Sequence, residues 1–314
     1  MTRSLAPAAF AVLLSGAAAA DTHLVSLTMD NDFFAGLDEH YTSGIQASFL
    51  ADIAPARCLP PLRWSVDEQA LLAVGQRIYT PANTDAAVPN PNDRPYAGWA
   101  YLMADVRTRA DTVMDHVSVT VGLVGPGSGG RRVQDWFHRS TSEGLSHGWD
   151  KQLRNEPTLM VGFERAWPAV ATFALGGQSG DLALRAGATA GTPFTYAATG
   201  AVLRFGRHLP ADLPSNHISL APSVDGFRGA SRFGWYAWTG LEARLVARNL
   251  FIQGNTFRSG PGAGMKRYGL DGAAGIVAAW PAVRVGFTLV RRGREFDGQG
   301  GHDKYGQLAI SYAY

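Results

Sequence analysis

The sequence predicts an all-β chain closed into a transmembrane antiparallel β-barrel of about twelve strands (twelve to fourteen by reading), with a short helix carried in one long loop. Three observations predict it. The chain opens on an export-type leader. Its last ten residues alternate apolar and small polar side chains and end on an aromatic. Segments of roughly ten residues with that same period recur between turns. No stretch after the leader approaches the ~18 apolar residues that a membrane-spanning helix needs.

Taken in order, residues 1–20 (MTRSLAPAAFAVLLSGAAAA) have one early cation, Arg3, an apolar centre and a run of small residues ending at Ala20. That is the pattern of a secretory signal peptide cleaved before Asp21, which leaves 21–314 as a single barrel domain. The formal charge is +2, and removing Arg3 lowers it to +1, so no charge-driven nucleic-acid partner is indicated. A lone cysteine, Cys58, excludes an intramolecular disulfide and a cysteine-based zinc site. Only three lysines (Lys151, Lys266, Lys304) accompany the arginines, and arginine is the better fork for phosphate or carboxylate.

Next comes LTMDNDFFAGLDEHYTSG, residues 27–44, where Asp30, Asn31, Asp32, Asp38 and Glu39 crowd between two strand-like runs. These oxygens suit a hard cation such as Ca²⁺, but the acidic residues are adjacent rather than alternating, and the EF-hand loop pattern is not met. A solvated loop fits the local sequence as well. From 40 onward HYTSGIQASFL puts Tyr41, Ile45 and Phe49 opposite Thr42, Gly44, Gln46 and Ser48.

Further strands are read at 71–80, 98–109, 115–125, 157–167, 171–190, 194–206, 233–247, 250–257, 265–279 and 282–294. Segment 171–190 reads either as one bent strand or as a hairpin through GGQSGD. Short turns are read at WPAV (167–170), GTP (191–193), ARN (247–249) and WPA (280–282), with long loops at the other end of the barrel. Trp99, Tyr101, Trp167, Trp235, Trp238 and Trp280 are expected in interfacial belts. In the closing strand, YGQLAISYAY, Leu308, Ile310, Tyr312 and Tyr314 face lipid, while Gln307, Ala309, Ser311 and Ala313 face the lumen. An even strand number leaves both chain ends on the periplasmic side.

Two insertions interrupt the pattern. Residues 80–98 are rich in Pro and Asn and read as loop. Within 125–157, residues 130–140 read as a helix that places Gln134 and His138 at i and i+4, on one face. His138, one turn from an amide, has the character of a general base. Ser128 in GPGSGG suggests a serine nucleophile, but Pro126 breaks the G-x-S-x-G elbow.

Four segments, NDFF…HYTSGIQASF, GQRIYTPAN…NDRPYAGWAYL, GLVGPGSGGRRVQDWFH and GWDKQLRNEP, in this order over residues 24–157, resemble the outer-membrane lipid A 3′-O-deacylase (LpxR) family. The resemblance implies a twelve-stranded barrel in the bacterial outer membrane, with its active site between the wall and a loop helix. It also implies Ca²⁺-dependent hydrolysis of the 3′-linked acyloxyacyl ester of lipid A. The family's Asn-Asp pair falls on Asn31 and Asp32, its Thr on Thr42, and its Gln and His on Gln134 and His138. His138 is expected to activate water, while Asp32, Asn31 and Glu143 are expected to serve the metal. Arg131, Arg132 and Arg94 are expected to grip the phosphates of lipopolysaccharide. Asp30, Asp38 and Glu39 are then expected to be merely solvated. Two positions depart from the family: a lysine of some relatives is Ala86 here, and a glutamate is Gly144, one residue from Glu143. The expected partners are lipid A and outer-membrane lipids, and the expected state is a monomer. The rival readings are a non-catalytic barrel or pore, and a serine-dependent esterase or phospholipase.

Overall fold

The computed structural model describes residues 23–32, 40–53, 67–110, 112–141, 144–210, 213, 219–223 and 230–314. The signal-peptide reading, Cys58, Asp38, Glu39 and Glu143 lie outside these residues.

Twelve strands close into one antiparallel barrel in which each strand pairs with its chain neighbours and β1 pairs with β12. They are β1 (His23–Asn31), β2 (His40–Asp52), β3 (Asp67–Thr80), β4 (Ala97–Arg109), β5 (Met114–Val124), β6 (Glu156–Leu175), β7 (Gln178–Gly191), β8 (Phe194–Arg207), β9 (Gly234–Asn249), β10 (Tyr268–Ala279), β11 (Val283–Arg292) and β12 (Asp303–Ala313). Helix α1 (Gly130–Thr141) lies between β5 and β6, and α2 (Leu250–Gln253) follows β9. The backbones of His23 and Tyr314 bond to each other, so β1 starts where β12 finishes, at one end of the barrel, here the terminal end. The opposite end carries α1 and is the loop end.

The period-2 pattern sorts the side chains as expected for closure in hydrocarbon. Every strand offers an exposed aliphatic outward: Leu27, Ile45, Val74, Leu102, Val121 and Leu159, then Leu184, Leu203, Leu241, Ile276, Leu289 and Ile310. In water this band would be a large apolar liability; in a bilayer it is what holds the barrel there. Among the described residues no helix is long and apolar enough to cross a membrane.

Inward positions mix aromatic and apolar side chains with polar ones, and several buried charges are paired, as burial demands. Arg204 forks onto Asp181 at 2.8 and 2.6 Å, Arg244 meets Asp271, and Arg107 meets Asp105 at 2.6 Å. Asp30 accepts from Tyr41 at 2.6 Å and from Gln307 at 2.5 Å. Its carboxylate is therefore a buried lumen group, and the expectation that it is merely solvated is wrong.

Six further readings are corrected. WPAV is not a turn: β6 runs through it with a register shift between Trp167 and Ala171, and Ala169 has φ 52. A bulge tolerates Pro168. The turn falls at Gly176 and Gly177, with φ 59 and 77, so the hairpin reading of 171–190 holds. ARN (247–249) completes β9 rather than turning, and 250–257 is no strand, because Asn249 caps Phe251 and starts α2. Tyr41 is not on the Ile45 face, because a bulge between Tyr41 and Ser43 turns it into the lumen. Trp99, Tyr101 and Trp238 are buried inside rather than belted at the interface. Finally, the short and long connections are not segregated by end. GTP turns at the loop end, while residues 208–233 join β8 to β9 at the terminal end.

Candidate active site

The strand register defines one transverse row near the loop end. Asn31 pairs with Ser43, Ser43 with Ile78, and Ile78 with Gly98, across β1 to β4. Along β1 and β3 the outward positions are Val25, Leu27 and Met29, and Leu72, Val74 and Gln76, so Asn31 and Ile78 continue the outward faces. Yet Asn31 is 4% exposed and Ile78 1%, against 50% for Leu27 and 54% for Val74 nearer mid-wall. The outer surface of the wall is therefore covered here and bare below.

The cover is built by two loops. The hydroxyl of Ser128 donates to the Gly125 carbonyl at 2.7 Å, closing the turn that launches α1. Gln76 reaches outward from β3 to donate to the Ser128 carbonyl at 2.6 Å. Gly98 and Gly130 meet backbone to backbone: a Cβ on Gly98 would lie 2.9 Å from Gly130 Cα. Helix α1 is thus pinned at its first residue onto β4. Ile78, Tyr96 and Trp149 form a separate buried cluster beneath it. Ser128, with its hydroxyl occupied in this turn, is placed as a structural residue.

Helix α1 spans Gly130–Thr141, and its buried residues include Gln134 and His138, as the i, i+4 spacing predicts. Trp149 Nε1 donates to Gln134 Oε1 at 2.7 Å. An indole nitrogen only donates, so the carbonyl of Gln134 must face it, and the NH₂ group must face away. That buried Nε2 has no hydrogen-bond partner in the structure. His138 Nδ1 lies 2.5 Å from the carbonyl of Gly144. A carbonyl only accepts, so Nδ1 carries the proton of the neutral ring and Nε2 keeps the lone pair. The Gly144 departure thus leaves a backbone group that orients the histidine.

Asn31 and Asp32 stand at the loop end of β1, where the strand stops and a 3-10 turn begins; both are buried. Thr42 occupies the β2 bulge beside them and hydrogen-bonds Thr80 through the hydroxyls at 2.8 Å. Arg131 and Arg132 project from the exposed face of α1, and Arg131 pairs with Asp150 at 2.9 Å. Arg94 is a correction. It is 1% exposed and bound to Glu295 at 2.6 Å, so its charge is spent inside the protein and not offered to a phosphate. Burial alone would raise the Glu295 carboxyl, but Arg94, Arg292 and Arg244 outweigh it and hold the pKa at about 2.

Sequence reasoning missed three contributors: Trp149, the Gly98–Gly130 contact, and His40. His40 bonds Asp303 at 2.6 Å and faces Asp93 at 3.5 Å. Only Trp149 had a sequence signal, inside GWDKQLRNEP. Among the described residues no group of three His, Cys, Asp or Glu side chains forms a ready metal cage.

A family model described as Outer membrane protein LpxR matches residues 5–314. No curated protein matches the sequence. Among solved structures, the chain is similar to LpxR from Salmonella typhimurium, with a TM-score of 0.75 at 18% identity, covering 92% of this chain and 99% of that one. It is also similar to the β domain of the Bordetella autotransporter BrkA, with TM-score 0.46, 10% identity and coverages of 94% and 98%. An outer membrane channel from Pseudomonas putida F1 gives TM-score 0.38, 10% identity and coverages of 94% and 95%.

Proposed function

The chain belongs to the family of outer membrane protein LpxR and resides in the bacterial outer membrane, and from that premise we propose that it is a lipid A deacylase acting on the 3′-linked acyloxyacyl ester. The observation that carries the chemistry is the pair of oriented groups on α1: a histidine with its lone pair on Nε2, and a buried amide NH₂ turned away from its Trp149 anchor. Helix geometry supports a shared site with the wall. From Gly130 over β4, His138 lies eight residues on, ~12 Å along the axis. The helix packs on β4 and β3, and in this reading its last turn faces the adjoining β1–β2 end of the row, where Asn31, Asp32 and Thr42 stand.

In this reading His138 Nε2 takes a proton from water as the water oxygen attacks the ester carbonyl. Gln134 Nε2–H donates to the oxygen on which charge develops, a contact worth more in a buried site than in water. The ester C–O bond then breaks. His138 returns its proton to the departing sugar oxygen, leaving a free hydroxyl on the glucosamine and a released fatty acid. Thr42, braced by Thr80, positions a ligand or water. Because the site lies between the outer face of the wall and its loop cover, just above the apolar band, the acyl chains of the substrate can stay in the bilayer throughout.

Ca²⁺ fits the donors present. The Asp32 carboxylate and Asn31 amide oxygen are hard ligands at a strand end, while the Gln134 oxygen is engaged by Trp149. When bound there, the ion would polarise the ester carbonyl as a Lewis acid. Mass spectrometry of lipid A from cells expressing the protein, with and without Ca²⁺, tests the reading. Loss of the 3′ acyloxyacyl mass is expected with the native chain and its absence with His138→Ala, a drop on the order of 10²–10⁴ in rate. Unmodified lipid A from cells containing folded native barrel would overturn it.

A further inference from the structure

On the outer surface of the wall, beside β1, two cations stand opposite each other. Arg291 of β11 is the register partner of Lys304 of β12, at the loop ends of both strands. Each is exposed and occupies an outward position, its strand neighbours Arg292, Asp303 and Tyr305 being buried. Directly opposed residues on one sheet face have Cβ atoms ~4.5–5.5 Å apart, and like charges there repel. Neither cation is joined to a carboxylate among the described residues. The nearby acids Asp271, Asp303 and Glu295 are turned inward and held by Arg244, His40 and Arg94. On the far side of Arg291 the register partner in β10 is Gly272, so no side chain there screens the guanidinium.

What lies below the pair identifies its occupant. One position nearer the terminal end on the same faces, Leu289 is 48% exposed, and Leu308 further along β12 is 36% exposed, both part of the apolar band. Two uncompensated cations at the upper edge of that band suit an amphiphile with phosphate on its headgroup and acyl chains below. A free inorganic anion would use the cations and leave the band unused. We propose that Arg291 and Lys304 form an outward-facing phosphate subsite that docks a phosphorylated glycolipid of the outer leaflet, its chains lying along Leu289 and Leu308. Arginine supplies a planar fork and lysine a point charge to the same group.

The subsite adjoins the candidate active site. Gly306, the next outward residue of β12, is the register partner of Asn31, so the two sites are one strand apart. The proposal concerns binding and stands whether or not the protein hydrolyses what it binds.

The experiment uses the full folded barrel in zwitterionic nanodiscs and measures binding of bisphosphorylated lipid A, the same lipid dephosphorylated, and inorganic pyrophosphate. The native barrel is expected to prefer the phosphorylated lipid by about tenfold, with pyrophosphate alone far weaker. Arg291→Gln/Lys304→Gln should abolish that preference, Lys304→Gln alone should reduce it about threefold, and the charge-keeping swap Arg291→Lys/Lys304→Arg should retain it. Heat-modifiable gel migration reports folding of each variant, and the single and swapped variants decide the question if the double one does not fold. Retention of the full preference after neutralising the cations, or pyrophosphate binding as tightly as the lipid, would overturn the proposal.

Discussion

Trp149 decides what Gln134 can do. A free glutamine offers either end of its amide, but an indole N–H at 2.7 Å donates only to the carbonyl end. Replacing Trp149 by Phe keeps the ring and removes the donor, so the amide is free to flip. The expected result is a kcat lower by about tenfold with KM unchanged, since the lost order affects the developing oxyanion more than the bound ground state. An unchanged kcat in a folded Trp149→Phe barrel would mean that Gln134 is not oriented this way. At this scale the sequence is informative where spacing is local. Gln134 and His138 share a helix face by i, i+4 arithmetic, and the structure buries both. It is uninformative where partners are distant in the chain. Trp149 is separated from Gln134 by a loop, and His40 meets Asp303 from 263 positions away. Arg94 and Asp30 were misread for a related reason: a charge in the sequence does not say whether it faces water or a buried partner.

The strands were readable because alternation imposes itself on every residue, and the errors fall where an element departs from its period. One extra residue in β2 turned Tyr41 inward. One bulge carried β6 through a proline. One capped turn, α2, has three buried apolar residues in a row and mimics a strand over so short a length. Helix α1 was readable as a helix, but its seat was not, because that depends on two glycines from different segments. The close approach of Gly98 and Gly130 makes a sharp prediction for the element. In Gly98→Ala the added methyl would fall 2.9 Å from Gly130 Cα and 3.0 Å from Gly130 N, both backbone atoms that cannot swing aside. The helix must lift, while the strand pairing of β4 with β3 and β5 does not need to change. Deacylation is expected to fall by roughly 10–100-fold, the scale of an ångström misplacement, with heat-modifiable migration and far-UV dichroism unchanged. Full activity in that variant would show that the seat of α1 does not set the geometry of the site.

For the whole molecule, the lumen separates an enzyme-like barrel from a pore. Twelve strands enclose space that side chains must fill or leave open to water, and here two successive layers stop it. At the loop end Phe251 of α2 stacks on Tyr79 with ring centres 4.2 Å apart and also packs on Phe194 at 5.2 Å and Trp99 at 5.6 Å. Just below it, still in the loop-end half, lie residues 219–223 of the β8–β9 connection, which leaves the wall at the terminal end. There Arg77 donates to the carbonyl of Leu220, Gln46 donates to that of Ser223 at 2.9 Å, and Tyr196 bonds Ser219. The stoppers share no residue, so they act in series. Native protein in a planar bilayer is expected to pass no current above baseline. Phe251→Ala should leave it shut because the lower stopper remains, and Arg77→Ala should do the same because the aromatic stack remains. Only the double variant should show conductance steps. Steps in the native chain would return the molecule to the class of open pores. Steps in one single variant would show that only one of the two stoppers seals the barrel.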